Sequence, residues 1–562
     1  MSKTIRLQRW FPFLGWPRPS RETLTGELWA GLTVGMMVIP QAVAYAALAG
    51  MPLVTGIYAS LLPALVAVLW SSSQRLGVGP TALSALLVGT SLTGLADPGS
   101  PEWVTLAVWL ALLSGLLQLA LGLGRCGWLL NLVSSPVLTG FTQAAAILIL
   151  LSQLPALIGL DGPLLRLLQA PSVDLQALAF GLASLVILSL GKRLVPRFPT
   201  LMALVVCSAV VSWATGFARG GGAVVGSLPA GLPAFHWPGT LSWSLLGELA
   251  LPTMVITLVS FLETASSAKV DNQKGGTRWN ENQDLIGQGL GKITAAFSGS
   301  FPTSSSFSRS AINLYAGAKT GWSTIFSVLL VLITLLWLTP GLYHVPQSVL
   351  AAVVVAAVSS LIQPRVFLQL WRGARVEAVI GVTTFLLTLA TAPRLYWGVL
   401  AGLLMSLSHF LFHRLHPRII EVGLHADGSL RDRHLWQLPA LAPHVYALRM
   451  DAELDFASAR GFERAIVEHL GQHRDVRHVC LFAQPINRVD ATGAETFGQL
   501  RRLLAERGIT LHISGIKLPV ETMLRQAGEL PAIGSSTALL RMYRTDAEAL
   551  AHLQRRLEDY VI

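Results

Sequence analysis

Charged side chains are scarce in this 562-residue chain, where Asp, Glu, Lys and Arg together make up 13%. A soluble domain carries roughly 25%. With 52% hydrophobic residues, this scarcity excludes disorder and excludes an all-soluble protein. Cysteine is scarcer still: Cys126, Cys207 and Cys480 are scattered, form no CxxC pair and exclude a disulfide framework. The thirteen His residues form no metal-ligand spacing. A GxxxxGK[ST] run is absent, and so is any nucleophile–His–acid or metal constellation. ATP-driven transport and enzymatic chemistry are therefore not expected, and no cofactor is implied.

The charges that are present sit unevenly. Residues 411–562 hold 19 basic and 18 acidic residues, whereas residues 1–410 hold 22 basic and 12 acidic. Per residue the first part is about threefold poorer in charge, as a domain whose solvent is lipid must be. The net charge of +11 comes almost wholly from that part, so it reflects membrane topology and not a nucleic-acid partner. Long apolar runs occur at about 27–48, 53–71, 103–124, 136–158, 175–191, 199–216, 247–267, 320–339, 346–362, 375–392 and 395–412. Three shorter, broken segments at 78–95, 284–299 and 304–317 bring the expected total to about fourteen.

Alternating these spans from a cytoplasmic N-terminus puts seventeen Lys and Arg residues inside, among them Lys3, Arg6, Arg9, Arg18, Arg75, Lys192, Arg197, Lys269, Lys274, Arg278, Arg365 and Arg372. Only Arg166, Arg219 and Arg394 fall outside, a strong positive-inside asymmetry. Lys292 lies inside a weak span, with no side assigned to it. The start of the chain is basic and aromatic (Lys3, Arg6, Arg9, Trp10) and does not read as a cleavable signal peptide. From about 437 the texture changes to alternating strands (444–454, 476–483, 510–514) and helices (457–471, 494–507), the pattern of a small α/β domain. Segments 1–24 and 415–436 are expected as a cytoplasmic N-terminal stretch and a linker flanking a transporter domain at 25–414.

Three features of the membrane part carry chemistry. Gln41 and Tyr45 share a helix face beside the kink expected at Pro40. They suit either helix packing or a cavity. Two interrupted stretches, 71–86 (SSSQRLGVGPTALSAL) and 298–313 (SGSFPTSSSFSRSAIN), each place Pro-Thr before a short apolar helix. Half-helices in corresponding halves of a transporter point to a midplane site, and their N-termini favour an anion. Arg309 lies in the second stretch and offers permanent positive charge. Glu263 lies on a polar stripe with Thr257, Ser260, Thr264 and Ser267, and a carboxyl there can carry a proton alongside the anion. A structural ion pair between the two is the plainer alternative.

The run 30–83, from AGLTVGMMVIPQAVAYAALAG to GVGPTAL, together with Phe307–Asn313 (FSRSAIN) and Val489–Gly493 (VDATG), resembles the sulfate-permease (SulP) family of anion transporters, relatives of prestin and pendrin. The resemblance implies a polytopic α-helical membrane protein similar in fold to uracil permease. Its fourteen segments would form two inverted seven-segment repeats, with a core domain moving against a gate domain. It implies an anion held by Gln41, Tyr45, Thr81, Ala82, Phe307, Ser308 and Arg309, with Glu263 coupling to protons. Sulfate is the first choice of substrate. A sodium-coupled bicarbonate symporter, an exchanger or a channel are alternatives on the same fold, and a membrane-tethered signalling protein is a remote one.

The tail, 437–562, resembles the STAS domain of these transporters, itself like bacterial anti-sigma-factor antagonists. There a phosphorylated Ser follows the motif Asp. Here Asp490 is followed by Ala491, Thr492 and Gly493, so the resemblance implies a scaffold and dimer contact instead of a phospho-switch. The expected setting is a bacterial inner membrane, with the STAS domain cytoplasmic and the chain a homodimer in contact with lipid.

Overall fold

The structure, a computed structural model, describes residues 11–17, 20–160, 174–194, 199–275, 279–531 and 539–558. Lys3, Arg6, Arg9, Trp10, Arg18, Arg166, Arg197 and Arg278 lie outside the described residues, as do the side chains of Lys192 and Lys274. The chain divides into two compact units, Met1–Ser406 and Leu407–Ile562.

In the first unit, α1 (Arg21–Leu48), α2 (Leu53–Trp70), strand β1 (Gly77–Gly79) and α3 (Ala82–Leu92) lead into α4 (Pro101–Leu123), α5 (Ser135–Ile158), α6 (Leu175–Leu194) and α7 (Thr200–Thr215). The order then repeats: α8 (Trp243–Gly275), α9 (Glu281–Phe297), strand β2 (Ser304–Ser306), α10 (Phe307–Tyr315), α11 (Trp322–Leu342) and α12 (Gln347–Val358), with α14 (Arg375–Ala390) and α15 (Tyr396–Leu415) after a short α13 (Arg365–Gly373). Leaving α13 aside, the described residues hold fourteen helical segments in two sevenfold series, each broken at its third member by a strand. Among the described residues, eight helices are long and apolar enough to cross a membrane by length and composition. The others include the half-helices α3 and α10, which hydropathy alone would reject.

Packing divides the helices into two groups. In one, α9 lies along α4 and α2, and α11 lies along α1. In the other, α5 packs against α14 and α12, and α12 against α6. Two carboxylates pin loops in the first group. Buried Glu27 accepts from the backbone N–H groups of Lys319 (2.8 Å), Thr320 (2.8 Å) and Ser323 (3.0 Å), so it caps the start of α11 from α1. Fully buried Asp284 accepts from the N–H groups of Ser72 (2.7 Å) and Ser73 (3.0 Å) and from Trp279 Nε1 (2.7 Å), which holds the turn before β1. A buried charge is tolerable only when its lone pairs are filled this way.

Two departures from the sequence expectation stand out. Residues 363–374, read as an inner loop, contain α13, an amphipathic helix with Leu368 and Trp371 exposed. Residues 415–436, expected as a linker, contain two strands of the second unit: β3 (Ile419–Leu424) and β4 (Leu430–Asp432). The alternation in IIEVGL puts Ile420 and Val422 into a core, a signal masked by Pro417 before the strand and Gly423 within it.

The second unit is a six-stranded sheet in the order β4-β3-β5-β6-β7-β8, where β5 is Val445–Met450, β6 His478–Phe482, β7 Thr510–Ser514 and β8 Leu540–Tyr543. Strands β5 to β8 run parallel, and β3 joins them antiparallel. Helices cover both faces, as parallel strands require. On one face Leu448, Val479, Leu481 and Ile513 pack with Phe462 and Ile466 of α16 (Ala459–Gln472) and Phe497 of α17 (Ala491–Glu506). On the other, Ala447, Cys480 and Phe482 meet Ala549 and Leu553 of the last helix, α19 (Asp546–Glu558), which follows α18 (Leu518–Gln526). Burial there pushes the Cys480 thiol up to about 12.

The VDATG motif is built into this core. Asp490 caps α17 by accepting from Gly493 N–H (2.8 Å), and its other oxygen accepts from Phe456 N–H (3.0 Å). A Cβ at Gly493 would lie 2.1 Å from the Leu454 carbonyl oxygen, whereas Thr492 is exposed. Gly493→Ala should therefore destabilise the second unit by about 1–3 kcal/mol through overpacking against backbone. Thr492→Ala should change it by less than about 0.5 kcal/mol. Hydrogen exchange of α17 amides in the purified full chain checks both.

Candidate functional site

The two broken segments meet each other. Strands β1 and β2 pair antiparallel in the register Gly77↔Ser306, Val78↔Ser305, Gly79↔Ser304. Each strand satisfies the other's backbone where the chain leaves helical geometry, the condition for irregular backbone at membrane depth. The approach is close enough to demand glycine: a Cβ on Gly77 would lie 2.7 Å from Arg309 Cβ.

From this crossing the half-helices leave in opposite senses. Thr81 caps α3, its Oγ1 accepting from Ser84 N–H (3.3 Å). Ser306 caps α10, its Oγ accepting from Arg309 N–H (3.4 Å). The earliest N–H groups of each helix have no partner within the helix and carry the positive end of its dipole.

A cavity of about 340 Å³ opens at both starts. Tyr45, Thr81, Ala82, Phe307, Ser308 and Glu263, all singled out by sequence, line it together. Thr81 Oγ1 donates to Glu263 Oε2 at 3.1 Å, which joins the tip of α3 to the acid of α8. The remaining wall mixes polar side chains, Thr139, Thr142 and Gln143 of α5, Ser266 of α8, and Ser360 and Gln363 beyond α12, with apolar ones such as Leu138, Leu262, Val358 and Val366. Its polar groups are hydroxyls, amides, the Glu263 carboxyl and helix tips set among apolar side chains, and among the described residues no Lys or Arg lines it.

Two expected members are placed elsewhere. Gln41 is buried and lines a neighbouring cavity of about 290 Å³, with Met36, Met37 and Ser308. Arg309 is fully buried and lies behind the tips, where its Nη1 donates to the Pro80 carbonyl at 2.9 Å; its Nε and Nη2 make no hydrogen bond among the described residues. No ion pair joins Arg309 to Glu263 among the described residues. The guanidinium therefore ties α10 to the turn before α3 and contributes its field without touching the cavity. The rest of the polar stripe on α8 packs inward, with Ser304 Oγ donating to the Ser260 carbonyl (3.3 Å) and Thr257 lying against Ser114.

Sequence reasoning missed the α5 side of the cavity. Thr139, Thr142 and Gln143 recur at helical spacing inside an apolar run, and that pattern is the signal that was available. Asp284 and Glu27 also carried a signal, as acids inside candidate spans. Among the described residues no cluster of His, Cys, Asp or Glu could hold a metal ion.

With this geometry in hand, comparison with known proteins is informative. The sulfate permease family matches residues 24–384, and the STAS domain matches 440–549. Sulfate transporter 4.1, chloroplastic, of Arabidopsis thaliana is 31% identical, over 99% of this chain and 86% of that one. The sodium-independent sulfate anion transporter of Bos taurus is 30% identical, over 93% of this chain and 89% of that one. The murine Solute Carrier 26 family member A9 anion transporter, in its inward-facing state, has the same fold, with a TM-score of 0.86 over 99% of this chain and 95% of that one at 21% identity. A helical domain with paired half-helices, a helix-tip cavity and a six-stranded tail meet in one chain, and that chain belongs to the sulfate permease family, as a multi-pass membrane protein ending in a STAS domain.

Proposed function

We propose that the protein is a secondary active transporter of a small oxyanion, sulfate first, across a bacterial inner membrane. The observation that carries this is the common cavity onto which the starts of α3 and α10 open. Free N–H groups, the Thr81 and Ser308 hydroxyls and the Tyr45 phenol would hydrogen-bond the anion's oxygens, with Arg309 adding positive field from behind. The cavity draws on both helix groups: α1, α3, α8 and α10 from one, α5 and the end of α12 from the other. Sliding of one group past the other would expose the same site to either side in turn. Positive-inside asymmetry supports a STAS domain in the cytoplasm, where it would serve as a scaffold for a homodimer.

Coupling to protons would run through Glu263. Its carboxylate faces the cavity and is held by the Thr81 hydroxyl, the group that also caps α3. A proton taken up there would cancel a negative charge beside the incoming anion, so the two would bind cooperatively.

Labelled sulfate uptake in proteoliposomes tests the proposal. Uptake should accelerate when the outside is made acidic; failure to accumulate sulfate, bicarbonate or dicarboxylate under any gradient would remove it. Glu263→Gln should keep anion uptake but lose its dependence on the pH gradient, and an unaltered pH profile between pH 5 and 8 would reject the coupling role. Arg309→Ala strands the Pro80 carbonyl and deletes a buried charge, so transport should fall roughly 10- to 100-fold, the worth of a charge-assisted hydrogen bond. Wild-type affinity in that variant would show that Arg309 only packs.

A further inference from the structure

The cavity that adjoins the anion site has no part in the transport scheme. It holds about 290 Å³ and lies between α1, α6, α7, α10 and α12. Met36 and Met37 of α1, Leu188 of α6, Met202 of α7, Ile312 of α10 and Val353 of α12 give it an apolar wall. Among the described residues no charged side chain lines it. Methionine is flexible and polarisable, so such a wall adapts to apolar groups of differing shape. One polar group is unpaired there. Gln41 lines the cavity, is buried, and makes no hydrogen bond through its Oε1 among the described residues. An unpaired buried amide is costly, and a side-chain amide can offer a ligand either a donor or an acceptor.

Ser308, Ala357 and Ser360 line both cavities. Their side chains are small, so the edge between the two spaces is low. The start of α10 therefore stands at the rim of an amphipathic space. On one side of Ser308 are the helix tips and hydroxyls of the anion site; on the other is an apolar pocket with one amide. An inorganic oxyanion would leave most of this space unfilled. The two cavities together fall within the roughly 300–1,000 Å³ in which proteins hold organic ligands.

We propose that the anion site continues over Ser308 and Ser360 into the second cavity, so that the protein also binds organic oxyanions. These are sulfonates whose head group takes the helix tips and whose short apolar chain takes the methionine-lined pocket. The inference rests on the anion site proposed above and names a further ligand class for it. Each methylene buried should tighten binding about fourfold until the pocket is full.

The test is calorimetric titration of the purified full chain in nanodiscs with sulfate, methanesulfonate, propanesulfonate and hexanesulfonate. Affinity should rise along the sulfonate series, and hexanesulfonate should compete with sulfate. Met202→Trp fills the pocket; it should weaken hexanesulfonate about tenfold, the worth of two buried methylenes, and leave sulfate within about twofold of wild type. Met36→Phe, on α1, serves where that variant fails to fold. Equal affinity for methanesulfonate and hexanesulfonate would overturn the proposal. So would a chain-length gain that survives both substitutions, or 1-hexanol binding as tightly as hexanesulfonate, since the head group would then add nothing. A wild type that binds neither sulfate nor methanesulfonate would instead refute the anion site on which this inference stands.

Discussion

The structure depends on the pairing of two three-residue strands with each other inside a domain made for lipid. Backbone that leaves the helix in hydrocarbon exposes N–H and C=O groups, each costing several kcal/mol when unsatisfied. One broken helix could not meet that cost alone. Two broken helices of inverted sense can, because β1 and β2 run antiparallel and fill each other's hydrogen bonds. The half-helix tips then follow from the pairing: chain that has spent its length as strand resumes as helix partway through the domain, at Thr81 and at Ser306.

Around that crossing, the buried charges differ in how fully they are satisfied. Glu27 and Asp284 are saturated by backbone N–H groups and hydroxyls, so they act as fixed staples on the loops that enter α11 and β1. Arg309 is anchored at one end only, on the Pro80 carbonyl. Glu263 is held by the hydroxyls of Thr81 and Ser304 and otherwise faces the cavity. Saturated charges hold geometry, and incompletely satisfied ones are available to respond to a ligand. That distinction separates scaffold from site without reference to any relative.

The same distinction explains what was legible in the sequence. Hydrophobic runs located the long spans, and the paired Pro-Thr signals located both half-helices, although neither would pass a hydropathy test. Tyr45 and Glu263 were read from helix faces, and Thr81, Ala82, Phe307 and Ser308 from the family resemblance at the two helix starts; all six line one cavity. Gln41 and Arg309 do not line that cavity, because orientation about a crossing is a tertiary property: Gln41 lines the adjoining cavity with Met36, Met37 and Ser308, and Arg309 folds back on Pro80. Lys292 could not be placed at all, since nothing in a sequence tells a snorkelling lysine from a buried one. In the tail, β3 escaped notice because its apolar alternation spans only six residues between a proline and a polar turn.

Withdrawing the cations from the cavity wall makes physical sense for a carrier. A guanidinium gripping an oxyanion through two hydrogen bonds gains strong, geometrically rigid contacts, which suit capture better than release. Transport demands binding favourable enough to enter and weak enough to leave. The hydroxyls and helix-tip N–H groups set in a largely apolar wall would offer neutral hydrogen bonds that water can replace. Charges one layer behind supply attraction that barely changes as the anion moves by an ångström or two. On this view the crossing strands do more than satisfy their own backbones. If the proposed anion site is right, they would also be the spacer that holds the Arg309 guanidinium behind the helix tips, on the Pro80 carbonyl.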